Sequence, residues 1–193
     1  IRPLLCGLWV SHDIWDASCM LIFVSHHGTQ CSVAPIVADS HRPLTRRSPL
    51  NLGMTNKFCN MLADMLSSPR WSHSKLVFCT LPSSDSVTNA VYLLGAFLLV
   101  HLSATVEEAN EPFACVRKHA LIPYRDATWV PSTHDLDVVD CWRAIRRAMR
   151  LGFYNVESFN EHECEGRQSN LKGFIFHHFP CDLFFRIFSG FWV

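Results

Sequence analysis

Residues 75–102, KLVFCTLPSSDSVTNAVYLLGAFLLVHL, decide how this chain is read. Residues 75–80 form an apolar, β-prone run of strand length, and the polar stretch 81–86 (LPSSDS) reads as a loop. Residues 87–102 follow as a helix that is apolar on nearly every side, a pattern that demands burial all round. The uncharged stretch 86–106 invites a membrane reading. Its purely apolar part, residues 90–100, is only half the ~20 residues of a spanning helix, and Asn89 and His101 bracket it. The stretch therefore predicts a core helix and no membrane span.

Working outward, Leu50, Met54, Phe58, Met61 and Met65 recur at helical spacing upstream of this unit. Ser48-Pro49 reads as their N-cap and first helical position, and Ser68-Pro69 as their stop. Residues 19–24 (CMLIFV) read as a strand, and residues 25–49, rich in Ser, Thr, His and Pro, as loop. Downstream, Thr105 and Glu108 have the spacing of a capping box. Residues 135–151 form the clearest amphipathic helix. Val139, Trp142, Ile145 and Met149 line one face, and Arg143, Arg146, Arg147 and Arg150 the other. Asp135, Asp137 and Asp140 stand in its first turns and Gly152 just past its end, as the helix dipole and the C-cap prefer. Strand, helix, strand, helix and a helical second half predict an α/β fold.

The whole chain has 193 residues, 49% of them apolar, with 17 basic and 17 acidic side chains. Balanced charge argues against a nucleic-acid binder and against an acidic disordered tail. Residues 1–16 hold Asp13 and Asp16 where a signal peptide needs an unbroken apolar run. A chain beginning with Ile1 reads as a fragment or processed product. The nine cysteines are odd in number, scattered and without a C-x-x-C pair, which predicts free, mostly buried thiols in a reducing compartment. His162 and Cys164 have no closely spaced fellow ligands, so neither a metal nor another cofactor is expected. The arginine stripe reads as a solvated face. Ser48-Pro49, after Arg46-Arg47, and Ser68-Pro69-Arg70 have the form of proline-directed kinase sites.

Five stretches stand in one order: residues 49–62 (PLNLGMTNKFCNML), the strand-loop-helix of 75–109, residues 124–128 (YRDAT), residues 136–153 (LDVVDCWRAIRRAMRLGF), and Phe159-Asn160. Together they resemble the N-terminal domain of the cell-division-cycle-fourteen dual-specificity phosphatases over roughly residues 49–165. The resemblance implies a dual-specificity-phosphatase-like α/β fold with a central, mostly parallel sheet flanked by helices. It divides the chain into an unmatched segment 1–18, a phosphatase-like domain 19–170 and a divergent aromatic tail 171–193. Enzymes of that family carry two similar domains in tandem, of which the second is catalytic and the first shapes the substrate groove.

Phosphate-ester cleavage by such an enzyme needs a thiolate at a helix N-terminus, glycines that turn backbone N–H groups toward the phosphate, and an Arg to grip it. The layout is H-C-x-x-x-x-x-R between strand and helix. Cys79 stands where the nucleophile belongs, but six residues on stands Asp85, and the loop has Pro82 and no glycine. A carboxylate there repels a phosphate dianion and raises a neighbouring thiol's pKa. Cys79 and Asp85 therefore mark a degenerate phosphate-loop position, and no catalytic residue is expected. Cys141 and Arg147 share the spacing but lie inside one helix, where no loop forms.

The resemblance also implies acidic groove residues that accept a basic side chain downstream of the phosphosite, from a motif D-E-Y-E-H-Y-E-x-x-E-N-G-D. Aligned without gaps from Phe159-Asn160, Glu163 and Glu165 fall on its first two glutamates, Gln168 on a third and Phe174 on the last aspartate. Part of the groove is thus absent; a solvated acidic turn is the plainer reading of Glu161, Glu163 and Glu165.

The expected role is a substrate-positioning half, inactive alone, of an enzyme that dephosphorylates phosphoserine-proline and phosphotyrosine proteins in cell-cycle control. Its partners would be phosphoprotein substrates held with a C-terminal catalytic domain, with no nucleic acid and no membrane. Its place would be the nucleus or cytoplasm, at centrosome or spindle. The alternative is a free-standing pseudophosphatase acting as an interaction module.

Overall fold

The computed structural model describes residues 8–9, 20–25, 30–37, 50–71, 74–80, 83–117, 121–124 and 134–160. Four strands, β1 (Leu8–Trp9), β2 (Met20–Ser25), β3 (Gln30–Val37) and β4 (Ser74–Thr80), form one sheet in the order β1-β2-β4-β3. β3 lies parallel to β4, with Val37 opposite Cys79. On the other side of β4, β2 runs antiparallel with Leu21 opposite Cys79, and β1 runs antiparallel to β2. The fold is α/β, as the sequence predicts.

Two expectations need correction. Among the described strands the sheet is mixed, with one parallel and two antiparallel pairings, rather than mostly parallel. Only residues 26–29 separate β2 from β3, far fewer than the dozen or more that a parallel crossover needs, so the chain must reverse. Residues 25–49 are also not all loop, since they contain β3. Pro35 argues against a strand there, but β3 is an edge of the described sheet, where a missing backbone N–H is tolerated.

The parallel pair is joined through α1 (Leu52–Ser67), which makes β3, α1 and β4 one βαβ unit. The start of α1 falls later than the Ser48-Pro49 reading places it. Asn51 is the N-cap, its Oδ1 accepting the Met54 N–H at 2.7 Å, while 48–49 lie outside the described residues. Asn caps as well as Ser and stands directly before Leu52, the first buried position. The helix ends at Ser68-Pro69, where expected. On its inner face Phe58 meets Phe78 of β4 edge to face, ring centres 5.6 Å apart. Leu76, Phe78 and Thr80 are all buried, which places one face of β4 in the core.

Behind β4 comes α2 (Ser84–His101), the centre of the described structure. Every one of its residues from 86 to 100 is buried. It begins earlier than the apolar run suggests, because Ser83 caps it and the polar residues 84–89 form its first turns. Then follow α3 (Val106–Asn110), a short 3-10 turn (Glu111–Phe113), α4 (Ala114–Arg117) and α5 (Val138–Arg150). α3 has the full Thr105/Glu108 capping box, and α5 has another built from Asp137 and Asp140. α5 ends as the glycine predicts. Gly152 has φ of 73°, its N–H donates to the Met149 carbonyl, and Phe153 N–H donates to the Ala148 carbonyl.

α5 packs on α2 through one tight contact. Trp142 is fully buried, its indole N–H donates 3.0 Å to the Tyr92 carbonyl, and its ring lies against Gly95. A Cβ at Gly95 would sit 1.9 Å from Trp142 Cζ2, so only glycine lets the indole so close to the α2 backbone. No helix among the described residues is long and apolar enough to cross a membrane.

Candidate functional site

The parallel pair fixes where a ligand would sit. β3 and β4 end side by side at Val37 and Cys79, and α1 and α2 both start at that end, because each follows one of the strands. Open α/β sheets bind ligands in this crevice, outside the carboxyl ends of their strands. The two helices run side by side in the same direction. Thr55 Oγ1, in the first turn of α1, lies 3.2 Å from the Tyr92 hydroxyl at the middle of α2, and Asp64, near the end of α1, is close enough to His101 at the end of α2 to act on its charge.

Cys79 lies in β4 and Asp85 in the first turn of α2, so the structure sets both on the strand-to-helix connection that the sequence singles out. What it adds is the state of the helix end. Ser83 Oγ accepts the Ser86 N–H at 3.3 Å and donates to Ser86 Oγ at 2.8 Å. The serine thus occupies part of the N–H array that an anion would otherwise meet. Asp85 adds a partly buried carboxylate to the same turn.

The next turn is committed to structure as well. Thr88 and Asn89 are almost wholly buried. Thr88 Oγ1 donates to the Ser84 carbonyl at 2.7 Å and accepts the Ile122 N–H at 3.1 Å. Asn89 Oδ1 accepts the Tyr124 hydroxyl at 3.0 Å. Tyr124 exchanges two 2.8 Å backbone bonds with Leu136, just before α5. The residues 88–89 and 124 therefore tie the start of α2 to the segments that lead into α5.

Two further buried tyrosines follow the same rule. Tyr154 donates 2.9 Å to Asn56 Oδ1 on α1, and the Tyr92 hydroxyl lies beside Thr55. Burial pushes the ionisation of all three phenols far above their ordinary value, so they remain neutral hydroxyls that hold elements together. Sequence reasoning missed this network. The signal was a run of small polar residues, 83–89, at the head of an otherwise apolar helix, with a tyrosine opening the stretch 124–128.

The thiols whose side chains are described have no reactive setting. Cys59 and Cys141 are free and fully buried. Burial raises Cys59 to about 12, and raises Cys141 further, with Asp140 and Asp137 adding to the effect. Neither carries the thiolate that a nucleophile requires. The Cys141–Arg147 spacing lies within α5, a continuous helix. Of the arginine stripe, Arg143 and Arg150 are exposed, Arg146 and Arg147 are partly buried, and Arg143 pairs with Asp140 at 3.1 Å. Glu163, Glu165, His162 and Cys164 lie outside the described residues, and among the described residues no His, Cys, Asp and Glu side chains group as metal ligands.

These features define an α/β scaffold in which β4 is followed by α2 and the first turns of α2 are held by structural polar contacts. Residues 48–148, just over half of the chain, match the family model of the N-terminal half of dual specificity protein phosphatases, and the chain belongs to that family. It is 34% identical to the dual specificity protein phosphatase CDC14A of Mus musculus over 117 residues, 61% of this chain and 19% of that protein. The match to the Danio rerio protein CDC14AB is of the same identity and extent. The tyrosine-protein phosphatase CDC14 of Saccharomyces cerevisiae is 24% identical over 112 residues, 58% of this chain and 20% of that protein. The chain thus spans about a fifth of the length of these relatives.

Proposed function

We propose that this chain is the non-catalytic, substrate-positioning half of a dual-specificity protein phosphatase of this family. The observation that carries the reading is the start of α2, where Ser83 caps the helix and Asp85 stands in the place of the phosphate-gripping arginine. A carboxylate in that position repels a phosphate dianion, and the sequence puts no arginine there to favour a thiolate at position 79. Chemistry then belongs to a catalytic domain carrying H-C-x-x-x-x-x-R, and this half supplies rigid surface beside it. The parent reaction is hydrolysis of phosphoserine-proline and phosphotyrosine proteins in cell-cycle control, at nucleus, cytoplasm, centrosome or spindle. Glu163 and Glu165 would accept a basic side chain of the substrate, with no metal, cofactor, nucleic acid or membrane required.

The test is hydrolysis of an aryl phosphate. The chain alone should give no rate above a buffer blank. A rate abolished by Cys79→Ser would overturn the reading, because it would make Cys79 a working nucleophile despite Asp85. Joined to an active catalytic domain, Glu165→Lys should lower turnover of substrates with a basic residue after the phosphosite. An unchanged preference would remove Glu165 from the groove.

A further inference from the structure

The exit of α1 combines features that the scaffold role leaves unused. After Leu62 the helix has no buried residue: positions 63, 65 and 66 are partly exposed, and Asp64 and Ser67 are fully so. Ser68 is its C-cap, partly exposed, with φ of −72° and ψ of 127° and its backbone N–H donating to the Met65 carbonyl at 3.3 Å. Pro69 and Arg70 are exposed in the short turn that follows. The proline forces its predecessor into an extended conformation, so the serine hydroxyl is offered from strand-like backbone directly after a helix. The last turn holds only the partly buried Ala63, Met65 and Leu66 against the core, so it opens at lower cost than the fully buried turns before it and lets an enzyme cleft take residues 67–71 without unfolding the core. A cleft that leaves the N–H of the residue after serine without a partner favours proline there, since proline has no N–H to lose.

We propose that Ser68 is a phosphate acceptor for a proline-directed protein kinase, and that phosphate there loosens the last turn of α1. Ser68 Oγ forms a bond to the γ-phosphorus of ATP as the bond to the bridging oxygen of ADP breaks. The hydroxyl proton passes to the kinase's base, and ADP leaves. The added charge lies at the negative end of the α1 dipole and four residues after Asp64, on the same face of the helix. Both effects oppose the helical last turn.

The experiment treats the full chain with ATP, magnesium and a kinase of the cyclin-dependent class, and maps phosphate by mass spectrometry. A Ser48→Ala background removes the other serine-proline site. Phosphate should appear on Ser68, be lost in Ser68→Ala and persist in Ser67→Ala. The thermal midpoint of the phosphorylated chain should fall by about 2–4 °C, and Asp64→Asn should reduce the fall. Absence of phosphate on Ser68, while a peptide of residues 62–74 is modified, would overturn the proposal by showing that the folded exit is closed. Failure of both chain and peptide would overturn the assignment of the kinase class. A phosphorylated chain with an unshifted midpoint would overturn the effect on the helix.

Discussion

Gly95→Ala separates two physical accounts of α2 by sign. Judged by helix propensity alone, replacing a mid-helix glycine with alanine should stabilise the chain by about 1 kcal/mol. The structure predicts the reverse. The new methyl would lie 1.9 Å from Trp142 Cζ2 and 2.2 Å from Cε2, well inside any real carbon contact. The indole cannot simply turn aside, since it is fully buried, lies against Phe113 with ring centres 6.0 Å apart, and donates to the Tyr92 carbonyl. Overpacking of this kind costs about 2 kcal/mol. Losing the indole hydrogen bond costs about 1 kcal/mol more. Against the propensity gain, the net destabilisation is about 2 kcal/mol, or roughly 4–8 °C in thermal midpoint for a chain of this size. Urea unfolding followed by both circular dichroism and tryptophan fluorescence reads the change. In a Trp142→Leu background the clash is gone, and Gly95→Ala should then be neutral or stabilising, a coupling that a double-mutant cycle measures. A Gly95→Ala chain as stable as its parent would refute the argument that the indole closes on glycine.

The remaining predictions concern the polar groups. Tyr124→Phe should destabilise by about 1–2 kcal/mol in the same urea assay, because Asn89 Oδ1 is left buried without its donor. Tyr124→Phe with Asn89→Leu should cost less than the two changes separately, and strict additivity would deny the contact. His101 gives a pH dependence. Burial, with Phe97 stacked at 5.3 Å between ring centres, lowers its pKa below the ordinary 6.5, with Asp64 opposing, and its Nε2 is buried without a hydrogen-bond partner among the described residues. The unfolded chain therefore takes up the proton first on acidification, so stability should fall as pH drops below about 6.5. His101→Phe should flatten that part of the curve, and equal slopes would show that another group is responsible.

The elements were legible wherever local chemistry and burial agree. The 3.6-residue spacing of α1 and α5, the capping box of Thr105, the Gly152 stop and the strand before α2 follow from side chains within a few positions of one another. The strand-to-helix connection carrying Cys79 and Asp85 was legible for the same reason, since the two are six residues apart. Pairing was not. β3 carries a proline and lacks a clean alternation, and only its place at an edge of the described sheet explains why it is a strand. The first turns of α2 read as loop because Ser, Asp, Thr and Asn compete with the helix for backbone bonds. In the folded chain Asn89 and Thr88 instead find Tyr124 and the Ile122 N–H, 35 and 34 residues away.

By itself, then, the sequence determined the α/β class, the central buried helix and the six-residue spacing of Cys79 and Asp85 on one connection, all properties of spacing along one segment. Only the tertiary structure decided the order of the strands, the start of α2 and the reason position 95 is glycine. Those depend on which distant groups arrive opposite a given residue. Packing density and hydrogen-bond satisfaction are settled between segments, not within them.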